Sequence, residues 1–245
     1  ASLLCTFFII SSTLDSIKEF LSQHFEIISI FAMGSSIEDI QRAGEADVNL
    51  VISSVGVLAA KVLEKRFHTP YVIGTPIIGF ENVLAEKLIE SAWTKKSQTA
   101  YFSVLQKAHK KDTANFTTIQ NTEAVSNLKK IRSLTETIEK NKVSGNVYII
   151  GESVISQSLK AALALRYGIE ATVICPLETE PEYTEKDVLL LSSEEDIKEA
   201  IMDADTVIAD PIYKTICSEK VNFVAMPHEA YSGRIYRKEV CDFIH

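Results

Sequence analysis

Four short turns carry the residues whose types and spacing could do chemistry. They are Ser53-Ser54, Gly74-Thr75, Gly151-Glu152-Ser153, and His228 with Tyr231-Ser232-Gly233. Each follows an apolar run and joins small residues to polar ones. At a strand end that opens a helix, such residues turn backbone N–H groups and hydroxyls toward an anion or another polar ligand. The same composition also makes a plain strand-to-helix turn, and Ser after a strand is a routine helix cap. Two sharper motifs fail at Gly151. A dinucleotide fingerprint, G-x-G-x-x-G, is broken by Ser153 and Ser156. A nucleophile elbow, G-x-S-x-G, is broken by Ile155.

His228 follows Pro227 at an expected strand end, where an imidazole is either a ligand contact or a hydrogen-bonded surface group. Arg234 and Arg237 offer guanidinium groups to carboxylates, or belong to a solvated loop. Gly74 and Gly79 read first as backbone turns, and Asp210-Pro211 as a turn starter. The four cysteines, Cys5, Cys175, Cys217 and Cys241, include no C-x-x-C pair, so neither a zinc nor a redox motif is signalled. Cys5 and Cys175 lie in apolar runs and read as reduced, buried thiols of a cytoplasmic protein. No side chain is singled out as catalytic.

The elements that must position these turns are clearest in residues 146–176. Val147-Tyr148-Ile149-Ile150 is an apolar run without polar alternation, as in a strand buried on both faces. A helix follows, capped by Ser153 or Ser156, with Ile155, Leu159, Ala162, Leu163 and Leu165 on one apolar side and Gly168 at its end. Ala171 to Cys175 is the next strand, which completes a right-handed βαβ unit.

The same alternation covers the N-terminal stretch, with strands at 3–10, 25–31, 48–52 and 69–73 and helices between them. The second helix there is expected to pack through Ile37, Ile40 and Ala43, and the third through Ala59, Ala60, Leu63 and Phe67. After Gly145 the pattern resumes, with further strands at 188–191, 206–209 and 223–225 and a capping box at Ser192 to Glu195. Between them Val125, Leu128, Ile131, Leu134 and Ile138 repeat at helical spacing, as in a connecting helix.

The expected fold is therefore α/β: two Rossmann-like, three-layer αβα lobes, each with a parallel sheet of about four strands, bridged by helix. The divisions fall at 1–98, 99–142 and 143–245. The connector carries eight basic and four acidic residues, and reads as a solvated helix or as a docking surface for an acidic partner.

A net charge of −8 argues against nucleic acid as a partner, and no apolar run reaches the length of a membrane span. Ser2-Leu3-Leu4-Cys5-Thr6-Phe7-Phe8-Ile9-Ile10 lacks a basic leader and reads as a strand rather than a signal peptide. Opening on a strand and closing without a helix, the chain reads as part of a longer protein.

Three stretches resemble the nitrogenase component 1 type oxidoreductases, a family that includes nitrogenase subunits, cofactor-assembly scaffolds and dark-operative protochlorophyllide reductases. They are Val48–Ile52 through His68-Thr69-Pro70-Tyr71-Val72-Ile73-Gly74-Thr75-Pro76-Ile77-Ile78-Gly79; Asn146–Leu165; and Asp205-Thr206-Val207-Ile208-Ala209 followed by Val221–Gly233. The resemblance implies a protein of three Rossmann-like domains, of which this chain covers the last two. It implies electron delivery from an ATP-dependent iron–sulphur reductase partner and a homo- or hetero-oligomeric assembly. It also implies an iron–sulphur cluster or a metal or tetrapyrrole ligand in the full-length assembly, with no cofactor in this fragment and no activity for the fragment alone. The spacing departs from the nitrogenase pattern at His228, which precedes Tyr231 by three residues rather than four.

If the lobes face each other, as the resemblance implies, Ser53, Ser54, Gly74, Thr75, Gly151, Glu152, Ser153, His228, Tyr231, Ser232 and Gly233 converge on one inter-lobe cleft, expected to be the main pocket. Two other functions stay open: a module that holds a cluster or tetrapyrrole without turning it over, and a two-lobe protein of the periplasmic metal-binding kind.

Overall fold

Val48–Val51 is buried along its whole length, and Val147–Ile150 nearly so. Runs of this kind are stable only with a layer packed on each face, so the strands they form become the centres of covered sheets. The computed structural model describes residues 2–6, 11–31, 35–102, 104, 133–228, 231–232, 235–236 and 242–244.

The first sheet is built from β1 (Ser2–Thr6), β2 (Glu26–Phe31), β3 (Val48–Val51), β4 (Tyr71–Ile73) and β5 (Gln98–Thr99). Helices α1 (Ser11–Ser22), α2 (Ile37–Gln41), α3 (Val57–Phe67) and α4 (Glu81–Thr94) connect them in turn. After α5 (Leu134–Lys140), the second sheet takes β6 (Val147–Ile150), β7 (Ala171–Cys175), β8 (Leu189–Leu190), β9 (Thr206–Ala209) and β10 (Asn222–Ala225). Its helices are α6 (Ser153–Tyr167) and α7 (Glu194–Ala200). Every strand pairing in both sheets is parallel.

Each sheet has five strands rather than about four. β5 and β8 are two-residue edge strands, and a pair of residues carries little periodicity to read. The two halves share a class but not a strand order. The first runs β2-β1-β3-β4-β5 and the second β10-β9-β6-β7-β8. Chain direction along the sheet therefore reverses between β1 and β3 in one lobe and between β6 and β9 in the other. In open parallel sheets such switch points leave a crevice beyond the strand C-termini.

The second sheet sorts its side chains by strand period. Val147, Ile149, Val173, Ile208 and Val224 join one core, which continues through α6 into the first lobe. Ile150, Ile174, Val207 and Ala209 face the opposite way, against Ile197 and Ile201 of the α7 segment and Tyr213.

Several local expectations are corrected. The α6 helix is buried from Ser153 through Leu163, on all sides rather than one, because the first lobe covers the face that solvent would otherwise wet. Its N-cap is Glu152, whose carboxylate accepts from the Ile155 N–H, rather than Ser153 or Ser156. Ser193, rather than Ser192, caps α7. Ile37 is 71% exposed and Ile40 39%, so only Ala43 of that trio is buried. Phe67 is likewise 40% exposed at the end of α3.

Of the connector, Ser133 caps α5, and the Leu134 N–H donates to the Asp242 carbonyl at 3.2 Å. Residues 105–132, with Val125, Leu128, Ile131 and most of the basic side chains, lie outside the described residues.

Candidate functional site

The C-terminal ends of β3, β4 and β6 meet at the junction between the lobes. After β3, Ser53 is buried and the Ser54 N–H donates across the junction to Glu152 Oε1 at 2.7 Å. After β4, the Gly74 N–H continues the ladder to the Val51 carbonyl at 2.9 Å. The Thr75 N–H then donates to Ser158 Oγ at 2.9 Å, while Thr75 Oγ1 donates to the Ile52 carbonyl at 2.8 Å. Two of the four residues that composition singled out, Ser54 and Thr75, thus reach the first turns of α6, and their N–H groups are taken by side chains of the other lobe. Ser53 is buried beside them, and the Gly74 N–H stays within its own sheet.

On the second lobe, the Gly151 N–H bonds to the Ile174 carbonyl at 3.1 Å, and Ser153 Oγ lies 3.1 Å from Thr179 Oγ1. A Cβ at Gly151 would sit 2.9 Å from Ser156 Oγ, so a side chain there would require the Ser156 hydroxyl to turn away. Ser156 Oγ is buried without a hydrogen-bond partner among the described residues.

Asp210, placed by the sequence reading as a turn starter, organises the rest. It is 1% exposed. Its Oδ1 accepts from the Ile212 N–H at 3.1 Å, and its Oδ2 from the N–H groups of His228 at 2.8 Å and Ser232 at 3.3 Å. The signal was Asp directly after an apolar strand, since a carboxylate there can collect several backbone donors. The His228 and Tyr231 rings lie 5.6 Å apart, and Tyr231 meets Tyr213 edge-on at 5.8 Å. Gly233, Arg234 and Arg237 lie outside the described residues.

Burial pushes the Tyr231 hydroxyl well above its ordinary range, and Tyr213, Cys175 and Glu152 add to the effect. Burial likewise raises the Cys175 thiol to about 11, and its Sγ is 3.4 Å from the Leu177 carbonyl. That thiol is neutral at physiological pH. Among the described residues no three His, Cys, Asp or Glu side chains converge as metal ligands. The described residues thus do not fit a resident iron–sulphur cluster, which needs several convergent thiolates. They offer buried hydroxyls and aromatic faces.

Polar residues within α6, which sequence spacing did not single out, complete the junction. Gln157 Nε2 donates to the Tyr183 and Ser153 carbonyls, both at 3.1 Å, and its Oε1 accepts from the Glu185 N–H at 2.7 Å. The Tyr101 hydroxyl donates to the Tyr183 carbonyl at 2.7 Å, and the Tyr71 and Tyr183 hydroxyls lie 3.3 Å apart. A separate cavity of about 380 Å³ lies away from this junction, near the N-terminal end of β4, where Phe67, His68, Thr69 and Lys95 line it. Among the described residues no helix is long and apolar enough to cross a membrane.

Comparison with curated proteins finds no match. Among solved structures, the chain is similar to the AdcAII protein of Streptococcus pneumoniae, at 12% identity and a TM-score of 0.36 over 97% of this chain and 94% of that one. It is also similar to the metal-dependent lipoprotein YcdH of Bacillus subtilis, at 13% identity and a TM-score of 0.37 over 93% and 88%. The sequence model of the nitrogenase component 1 type oxidoreductases matches residues 3–212, a span that takes in both sheets as far as β9 and the turn at Asp210. The chain belongs to the nitrogenase component 1 type oxidoreductase family.

Proposed function

We propose that this chain supplies the substrate- or cofactor-facing part of a nitrogenase component 1-like reductase. In this reading it acts within a homo- or hetero-oligomer that receives electrons from an ATP-dependent iron–sulphur reductase. The observation that carries the reading is the family match through residues 3–212. The junction supports a ligand held by hydrogen bonds and aromatic contact, as a tetrapyrrole-like molecule would be, over a cluster coordinated by these side chains.

In this reading the chain's residues bind, orient and exclude water. Asp210 fixes the loop that carries His228 and Ser232 through their backbone N–H groups. Ser156 and Ser232 offer hydroxyls that have no partner among the described residues. Preorganised donors in a dry crevice bind charge and polarity more strongly than water does. The residues proposed to line the site are Ser53, Ser54, Gly74, Thr75, Gly151, Glu152, Ser153, His228, Tyr231, Ser232 and Gly233.

The test combines the full-length protein with the ATP-dependent iron–sulphur reductase of the same organism, without air. ATP-dependent bleaching or recovery of the reductase absorbance, seen only when both proteins are present, is expected. Tight binding of an organic ligand with no electron uptake would replace this reading with that of a holding module.

A further inference from the structure

Glu152 is 3% exposed, and none of the ion pairs among the described residues includes it. A buried carboxylate of this kind needs strong donors, because leaving it unpaired is costly. Its donors come from both lobes. Oε1 takes the Ser54 N–H at 2.7 Å, where the 3-10 turn Ser54–Gly56 runs into α3. Oε2 takes the Ile155 N–H at 3.0 Å, in the first turn of α6. Two helix N-termini, each carrying partial positive charge, thus share one internal anion.

We propose that Glu152 is the latch of the two lobes: its carboxylate pins the N-terminus of α3 to that of α6 and holds the junction shut. Opening the junction requires the Ser54 N–H to leave Glu152 Oε1. Other polar contacts also join the lobes: the Tyr101 hydroxyl donates to the Tyr183 carbonyl at 2.7 Å, the Tyr71 and Tyr183 hydroxyls lie 3.3 Å apart, and Ser16 Oγ donates to the Asp242 carboxylate. Lys61 pairs with Glu180 at 2.6 Å and Glu182 at 2.7 Å, but all three are solvent-facing, where ion pairs contribute little. Ser158 Oγ on Thr75 N–H is a neutral bond one turn further along α6. Charge-assisted bonds are roughly twice as strong as neutral ones, so of the two bonds at the first turns of α6 the one to the Glu152 carboxylate is the stronger. The proposal does not depend on the identity of the ligand or on the reductase reading.

The test is hydrogen exchange with mass spectrometry, alongside small-angle scattering, on Glu152→Ala, Glu152→Gln and Ser158→Ala. In Glu152→Ala the Ser54 and Thr75 amides should exchange about tenfold faster or more, as loss of one charge-assisted bond implies, and the radius of gyration should rise. Sodium formate, a small carboxylate able to fill the vacated place, should restore protection in that variant and leave the wild type unchanged. Ser158→Ala should expose only the Thr75 amide. If Glu152→Ala unfolds, as circular dichroism would reveal, Glu152→Gln decides: it keeps the shape, and faster Ser54 exchange supports the latch. Wild-type exchange at Ser54 in whichever variant stays folded would overturn it.

Discussion

The carboxylate of Asp210 accepts the backbone N–H of His228 at 2.8 Å, which fastens the loop after β10 to the end of β9. The same oxygen accepts from Ser232, and the other oxygen caps the 3-10 turn that starts at Pro211. One buried group therefore fixes the position of the His228 backbone.

Asp210→Ala leaves three backbone donors without their acceptor. Water can reach the half-buried His228 but not all of them, so the expected loss is about 2–4 kcal/mol. Asp210→Asn keeps one acceptor oxygen and should lose less. Urea unfolding monitored by circular dichroism measures both. A loss under about 0.5 kcal/mol for the alanine variant, the range of an ordinary surface substitution, would show that the loop is held by something else.

Asp210 also marks where sequence reasoning stops. The strands were legible because β3 and β6 are continuous apolar runs, and the βαβ unit from Val147 to Cys175 is a local pattern. Strand order was not legible, since no local residue states which neighbour a strand pairs with. For α6, spacing separated an apolar side from Ser156, Gln157, Ser158 and Lys160. Ser156 reads there as a candidate cap and the other three are given no role, because only the first lobe packed over them makes all four buried. Ser54 and Thr75 were read as possible ligand donors from their place after strands, but nothing local shows that Glu152 and Ser158 take their N–H groups.

Gln157→Leu tests that covered face. The Glu185 N–H loses its acceptor, while the Tyr183 carbonyl keeps the Tyr101 hydroxyl at 2.7 Å. One half-buried donor that loses its acceptor, with partial compensation elsewhere, predicts a loss of about 0.5–1.5 kcal/mol. Hydrogen exchange should rise in residues 181–187, which this amide ties to α6. A variant as stable as wild type, with unchanged exchange there, would mean that water replaces the amide.

Burial raises the Cys175 thiol from an ordinary 9.0 to about 11. The fold therefore favours the neutral thiol. Below pH 9 the group is protonated in both states and its stabilising contribution is full. As pH rises from about 9 toward 11 the unfolded chain ionises first, so stability falls across that window. The urea midpoint should drop over this range, and Cys175→Ala should drop less steeply. Tyr213 and Tyr231, also raised chiefly by burial, add to the slope in both proteins, and since Cys175 contributes to both shifts its removal lessens their part in the same direction. Identical slopes would remove Cys175 from the account.

The hydroxyls of Ser156 and Ser232 are buried, at 0% and 4% residue exposure, and neither has a hydrogen-bond partner among the described residues. A buried hydroxyl without a partner weakens the fold by up to about 1–3 kcal/mol. Ser156→Ala and Ser232→Ala should therefore be neutral or stabilising, by as much as about 1–2 kcal/mol, in the ligand-free protein. Under the proposed function the same substitutions should weaken ligand retention in the full-length assembly, because the hydroxyls then complete the ligand's hydrogen bonds. Stability rising while retention falls separates a binding role from a structural one. Thermal unfolding of the ligand-free chain gives the first measurement, and the amount of ligand co-purifying with the full-length variants gives the second. Destabilisation by more than about 1 kcal/mol would show that each hydroxyl has an internal partner, such as an ordered water, and would detach the pair from the proposed site.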